Sequence, residues 1–297
     1  MKRIFALGLA IILLVMIYQY LELDDWVAAQ SLNLEAESAI LIDVDTGKVI
    51  VAYNADDPLP PASVSKLMTE LLVLEAVIGG KVQWEDELSF SRYAASVTGA
   101  KIGLKQGETI SLRAAFEATA VHSSNDAAIA LAEHIAGTEA LFVDRMNAKA
   151  REIGLSDNTR FANASGLSSM DLMGRPDAGQ YNQAETRMTA RDIAKLSSYL
   201  IKEFPEILEV TSRSQVELAG LGTLSATNWM LPGERYAYPG NDGLKTGYTE
   251  AAGYCFVGTT YRDGRRLVSV VMKTPTKDAR FTETKKLFEY GFHSSMS

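Results

Sequence analysis

The sequence predicts an α+β fold: an antiparallel sheet built from both ends of the domain, flanked by helices, with a helical middle. Three observations predict it. Near the start, β-branched runs at residues 39–42 and 49–51 flank the turn Asp43-Val44-Asp45-Thr46-Gly47. Near the end, two further apolar runs at residues 254–261 and 266–272 flank Asp263-Gly264, a tight-turn pair. Between them, apolar residues recur at helical spacing in several segments. Strands at both ends and helices between them are most simply arranged as one sheet with helices packed on it.

Residues 2–21 come first. Lys2 and Arg3 precede a run without charge at residues 4–21, whose most apolar part, 4–18, suits an export segment. The run is at the lower edge of what can span a bilayer. Val27-Ala28-Ala29 offers a small-residue cleavage site, but Glu22, Asp24 and Asp25 intervene. Residues 1–24 therefore read as a signal or membrane anchor, retained in preference to cleaved, with the basic end inside and the rest outside. Residues 34–297 read as one catalytic domain.

After the hairpin comes the stretch 61–78. Leu67, Leu71, Leu74 and Ile78 recur at core-facing helical spacing, and Pro60-Pro61 suits the entry to a helix. Gly79-Gly80 ends it, and residues 81–110 are mixed and polar. A helix is expected over 112–120, a polar turn over 121–126, and an alanine-rich helix over 127–135 closed by Gly137. A further helix over 141–153 ends at Gly154. Residues 155–187 read as loops. Thr189 to Asp192 resembles a capping box opening a helix that ends before Pro205. Turns and short strands fill 210–240, and a last helix over 278–290 ends at Gly291.

Composition narrows the function. The chain of 297 residues is 47% hydrophobic and 22% charged, enough to bury a core. A net charge of −8 without an acidic block argues against nucleic acid as a partner. One cysteine excludes an internal disulfide, and three scattered histidines do not read as a metal cluster, so no metal or organic cofactor is expected.

Three short motifs carry the chemistry. Ser63-Val64-Ser65-Lys66 opens the first helix, so the Ser63 hydroxyl and the Lys66 amine share a face at the positive end of the helix dipole. Ser123-Ser124-Asn125 lies in the polar turn between two apolar helices. Lys245-Thr246-Gly247 precedes the strand at Tyr254. Alone, each has a bland reading: a capping serine, a polar turn, a solvated lysine. In this order they form the signature shared by penicillin-binding proteins and class A β-lactamases.

The chain resembles the low-molecular-weight penicillin-binding proteins, the serine D-alanyl-D-alanine carboxypeptidases of the β-lactamase/DD-peptidase superfamily. The resemblance runs from about residue 37 to 292. Beyond the trio it includes Ser38 to Asp43, Pro61-Ala62-Ser63, Asn125-Asp126-Ala127, Phe161 with Asn163 and Gly166-Leu167, and Asp242 to Gly247. It implies the family's fold and a reaction that trims the terminal D-Ala from peptidoglycan stem peptides, with β-lactams as covalent inhibitors. In that reaction Ser63 is the nucleophile and Lys66 the base. Bringing a lysine from a pKa of about 10.4 into use near neutrality costs ~4 kcal/mol, which burial and a second cation, Lys245, would supply. Ser123 would relay a proton to the leaving amine, and Asn125 would bond the substrate amide. Lys245 and Thr246 would bind the terminal carboxylate, with Gly247 permitting close approach. The resemblance further implies an oxyanion site at the backbone N–H groups of Ser63 and Tyr248, and a carboxylate-side role for Arg280.

The sequence departs from the family at Ser124, where glycine is usual, and at Tyr248, where histidine is common. Many relatives carry a β-rich C-terminal domain and an amphipathic membrane helix; the chain stops at Ser297, so both are expected to be absent, with the N-terminal segment as membrane attachment. A serine β-lactamase is the runner-up, disfavoured because the loop 161–167 holds Asn163 and no acid. A DD-endopeptidase differs in how open its cleft is, and a non-catalytic muropeptide-binding module stands furthest off. His122, Cys255 and Ser65 read as structural residues.

Overall fold

Strands β1 (Ser38–Asp43) and β2 (Val49–Tyr53) form the expected hairpin. Its turn is held by Asp43, whose carboxylate accepts from the Thr46 backbone and hydroxyl at 2.9 and 2.8 Å and pairs with Arg265 at 3.0 Å. The computed structural model describes residues 30–174 and 185–293. The segment read as an anchor, residues 1–24, lies outside them. Among the described residues no helix is long and apolar enough to cross a membrane.

A 3₁₀ turn, Ala62–Ser65, leads into α1 (Lys66–Ile78). Leu67, Leu71 and Leu74 are buried as their spacing predicts, whereas Ile78 is 63% exposed at the helix end. Thr69, Glu70 and Val73 are buried too, so α1 is a central helix covered on nearly all sides. The mixed stretch after it pairs β3 (Glu87–Ser89) with β4 (Thr109–Ser111) around the short α2 (Arg92–Ser96). Helix α3 (Leu112–Glu117) runs into a π-helical turn, Ala118–His122, and α4 (Asn125–Ala136) follows. Then come α5 (Glu139–Glu152), capped by Thr138, and the one-turn α6 (Ser169–Leu172).

Helix α7 (Ala190–Glu203) starts at Thr189, whose hydroxyl accepts from the Asp192 backbone. The capping box expected there is half made. The Asp192 carboxylate instead binds Ser156 and Thr159, at 2.6 and 2.7 Å. A complete box occurs at Ser168 and Asp171, where the sequence read as loop. Helix α8 (Ile207–Thr211) and the hairpin of β5 (Gln215–Leu218) and β6 (Gly222–Ser225) lead to the C-terminal strands. These are β7 (Asn241–Thr249), β8 (Gly253–Arg262) and β9 (Arg265–Thr274), followed by α9 (Ala279–His293).

One antiparallel sheet joins the two ends of the chain in the order β2-β1-β9-β8-β7. Ser38–Asp43 pairs along its whole length with Leu267–Met272. Both faces are covered, so every residue of β1 is buried. Ala39, Leu41, Phe256, Leu267 and Val271 meet Phe281, Leu287 and Phe288 of α9 on one face. Ile40, Val257, Val268 and Val270 face the helical middle on the other. One expectation is refined and one is corrected. Lys245-Thr246-Gly247 precedes the strand at Tyr254, β8, as expected, but it is not in a connecting segment: it lies inside a strand of its own, β7, at the sheet edge. Gly291 does not end the last helix but sits within it, where a Cβ would come 2.6 Å from Leu41 and 2.9 Å from Leu267.

Candidate active site

The open edge of β7 and the start of α1 face each other across a cleft of ≈ 640 Å³. Gly247 sets the approach: a Cβ there would lie 2.5 Å from the Pro61 carbonyl and 3.1 Å from the Val64 nitrogen. The strand therefore rests directly on the turn that carries Ser63. The π-helical turn brings in the second motif. It ends at Ser123, whose backbone is left-handed at φ 69°. Such a φ is uncommon for serine and marks a position held by its surroundings. Ser63, Ser123, Asn125, Thr246, Gly247, Tyr248 and Arg280 all line the cleft. Lys66 and Lys245 are buried behind it, at 0% and 1% exposure.

The Lys66 amine has three close partners: Ser63 Oγ at 2.9 Å, Asn125 Oδ1 at 2.6 Å and the Ser165 carbonyl at 2.6 Å. The Asn125 amide is oriented by its Nδ2, which donates to the Thr98 carbonyl at 2.6 Å. Two of the three partners can only accept. A neutral amine donates its two N–H bonds to them and turns its lone pair to the one partner that can donate, the Ser63 hydroxyl. Burial holds Lys66 well below the ordinary lysine pKa, Lys245 reinforces this, and Glu70 and Asp126 oppose it. That environment favours the neutral amine.

Ser165 went unnoticed in the sequence because a carbonyl has no residue signature. Its loop is braced by Asn163, whose Oδ1 accepts from the backbone nitrogens of Ser165 and Gly166 at 3.1 and 2.6 Å. Gly166 adopts φ 75°, and a Cβ there would fall on the Ala62 carbonyl. Beneath, the Glu139 carboxylate accepts from the Ala164 backbone at 2.8 Å.

Burial lowers Lys245 to about 8, and Glu70 opposes the fall. Thr246 Oγ1 bonds Thr227 Oγ1 at 2.7 Å. Arg280 is buried, donates to the Gly247 carbonyl at 3.3 Å, and is lowered to about 10 by burial. Tyr248 is 54% exposed and stacks on Tyr254 with centroids 4.3 Å apart. No hydrogen bond ties Ser123 to either lysine among the described residues, so the contact expected of a proton relay is not made. Ser124 has φ −59°, which any residue adopts, so serine replaces the usual glycine without strain. His122 Nδ1 bonds the Ser225 carbonyl at 2.9 Å. Cys255 is fully buried, and burial pushes its thiol up to about 11, far from a thiolate nucleophile. Trp229 and Lys277, neither predicted, complete the far wall, with the ammonium 3.8 Å above the indole ring.

Known proteins resemble the chain along most of its length. The profile of the peptidase S11 family, described as D-alanyl-D-alanine carboxypeptidase, matches residues 25–276. The D-alanyl-D-alanine carboxypeptidase DacF of Bacillus subtilis is 34% identical, covering 98% of this chain and 71% of its own. DacC of Escherichia coli is 31% identical over 88% of this chain, which spans 62% of that relative's length. Penicillin-binding protein D2 of Listeria monocytogenes, solved in its ampicillin-bound form, superposes with a TM-score of 0.77 at 38% identity, covering 88% of this chain and 98% of that one. The chain belongs to the D-alanyl-D-alanine carboxypeptidase family, serine hydrolases with the α+β fold of the penicillin-binding DD-peptidases.

Proposed function

We propose that the protein removes the terminal D-Ala from peptidoglycan stem peptides through an acyl-enzyme on Ser63, and that β-lactams acylate the same hydroxyl. The observation that carries this reading is the Lys66 amine, with two obligate acceptors on its N–H bonds and the Ser63 hydroxyl on its third side. Ser63 Oγ attacks the carbonyl carbon of the penultimate D-Ala while its proton passes to Lys66 Nζ. The peptide C–N bond then breaks, and the leaving amine takes a proton, with Ser123 as the relay from the lysine. Water, deprotonated by the regenerated Lys66, cleaves the ester. Lys245, Thr246 and Arg280 hold the terminal carboxylate, and the open edge of β7 pairs with the extended peptide as an added strand. The oxyanion is received by the backbone N–H groups of Ser63 and Tyr248. The work is done outside the cytoplasmic membrane, with residues 1–24 as export segment and anchor. The neighbour bound to ampicillin supports the β-lactam part of the reading.

The test is intact-mass analysis of the chain lacking residues 1–29 after benzylpenicillin treatment, beside Ser63→Ala. A long-lived adduct on the wild type alone is expected. An adduct lost rapidly with penicillin turnover would replace the reading with a β-lactamase, and no adduct on folded protein would leave a non-catalytic module.

A further inference from the structure

Behind the lysines lies an acid that the reaction above does not use. Glu70 is one turn after Lys66 on α1, so their side chains share a face. It is 0% exposed, and among the described residues neither carboxylate oxygen has a hydrogen-bond partner. A bare carboxyl in a packed interior is costly unless a charge answers it.

The two lysines differ in what they still need. Lys66 has three partners within 2.9 Å. Lys245, equally buried, makes one long bond among the described residues, to the Thr246 carbonyl at 3.4 Å. The unanswered carboxylate and the under-bonded ammonium complement each other. We propose that Glu70 is a positioning residue of this site: its buried carboxylate holds Lys245 as the ammonium that grips the substrate carboxylate, leaving Lys66 as the amine that gives up its proton.

The electrostatics agree in direction. Burial raises Glu70 to about 7, and Lys245 is the stronger of the two cations that oppose the rise; burial lowers Lys245, and Glu70 is the foremost charge that opposes the fall. Several ionisable groups on the neighbouring elements are already engaged. Asp126 of α4 accepts from the Ile102 and Gly103 backbone, Glu139 of α5 from Ala164, and Asp192 of α7 from Ser156 and Thr159. His122 of the π turn bonds Ser225, and Asp242 of β7 pairs with Arg266. Arg280 of α9 faces Lys245 and lowers it, the opposite of what Glu70 does.

The inference rests on the proposed acylation of Ser63 and is tested through it. The second-order rate of acylation by benzylpenicillin is measured against pH for the full chain, Glu70→Gln and Glu70→Met. Removing a negative charge makes both lysines lose their protons more easily. Both limbs of the profile should move to lower pH, the alkaline limb by about one unit, so that acylation above it falls about tenfold. With a penicillin methyl ester, which has no carboxylate to grip, that alkaline deficit should vanish. A lowered plateau with unmoved limbs would make Glu70 merely structural and overturn the proposal. Should neither variant fold, lysine-labelled wild type decides by NMR, with Lys245 assigned through Lys245→Arg. An ammonium at Lys245 beside a neutral Lys66 at pH 7 upholds the proposal, and two neutral amines reject it. If the wild type is not acylated at all, the reading of the reaction itself falls, an outcome distinct from each of these.

Discussion

Around the Lys66 amine, charge and geometry are matched atom by atom, and one substitution separates them. Asn125→Asp keeps the shape but sets a carboxylate 2.6 Å from Nζ in place of an amide oxygen. An anion that close stabilises the ammonium and raises the lysine pKa. Lys66 would then be a free base only at higher pH, so the acid limb of penicillin acylation should move upward while the fold persists. A limb that stays in place, measured by the rate of adduct formation against pH, would remove Lys66 as the base. That Ser63, Lys66 and Asn125 meet was legible in the sequence as an expectation, because the chemistry expected of them resides in side chains at fixed spacing. Ser165 was not, since what it contributes is a backbone carbonyl. Glu70 was not either: a glutamate four residues after a lysine normally marks a solvated helix face, and only the packing of α1 makes it interior.

Elements carry the next level of order, and the loop 161–167 shows how tightly it is set. Gly166→Ala would force a side chain into left-handed backbone and onto the turn that holds Ser63. Displacement by a fraction of an ångström at Ser63, the proposed nucleophile, should lower penicillin acylation about 10²-fold, out of proportion to any change in melting temperature. Equal losses in both would mean that the loop is structural alone. Thr189→Ala tests an element away from the chemistry. It removes the hydroxyl that accepts from Asp192 N at 3.0 Å and should cost about 1 kcal/mol in urea unfolding, with acylation unchanged. The helices were readable from periodicity and caps, but β7 was not. Its sequence, Asn241-Asp242-Gly243-Leu244-Lys245-Thr246-Gly247, is rich in residues that strands avoid. It is a strand because β8 templates it along residues 253–260. Local propensity cannot register that cause.

Over the whole molecule, the sheet made from both chain ends was foreseen because its strands alternate with turns that name themselves, while the interior ionisable groups became visible once three layers enclosed them. Glu139 is the clearest of these. It is 0% exposed, and burial raises its carboxyl to about 7, against the partial relief given by the Ala164 N–H and the Tyr93 hydroxyl. In the unfolded chain the same group titrates near 4.5. Below that value both states hold the proton and folding loses nothing. Between the two values the unfolded state ionises while the folded state does not, so stability falls as pH rises through about 7. The full difference is about 3 kcal/mol. Asp43 and Asp56 have lowered values, so their contribution disappears only in acid, below this window. The buried lysines Lys66 and Lys245 act oppositely, since their lowered values make stability rise with pH. The informative quantity is therefore the difference between wild type and Glu139→Gln, which cancels the lysines. Urea unfolding at pH 5 and pH 8 should show the wild type losing about 2–3 kcal/mol relative to Glu139→Gln across that interval, the rest of the difference having already been lost by pH 5. A constant difference would mean that the Glu139 carboxyl ionises in the folded protein as easily as in the unfolded chain, and that the Ala164 and Tyr93 bonds fully offset its burial.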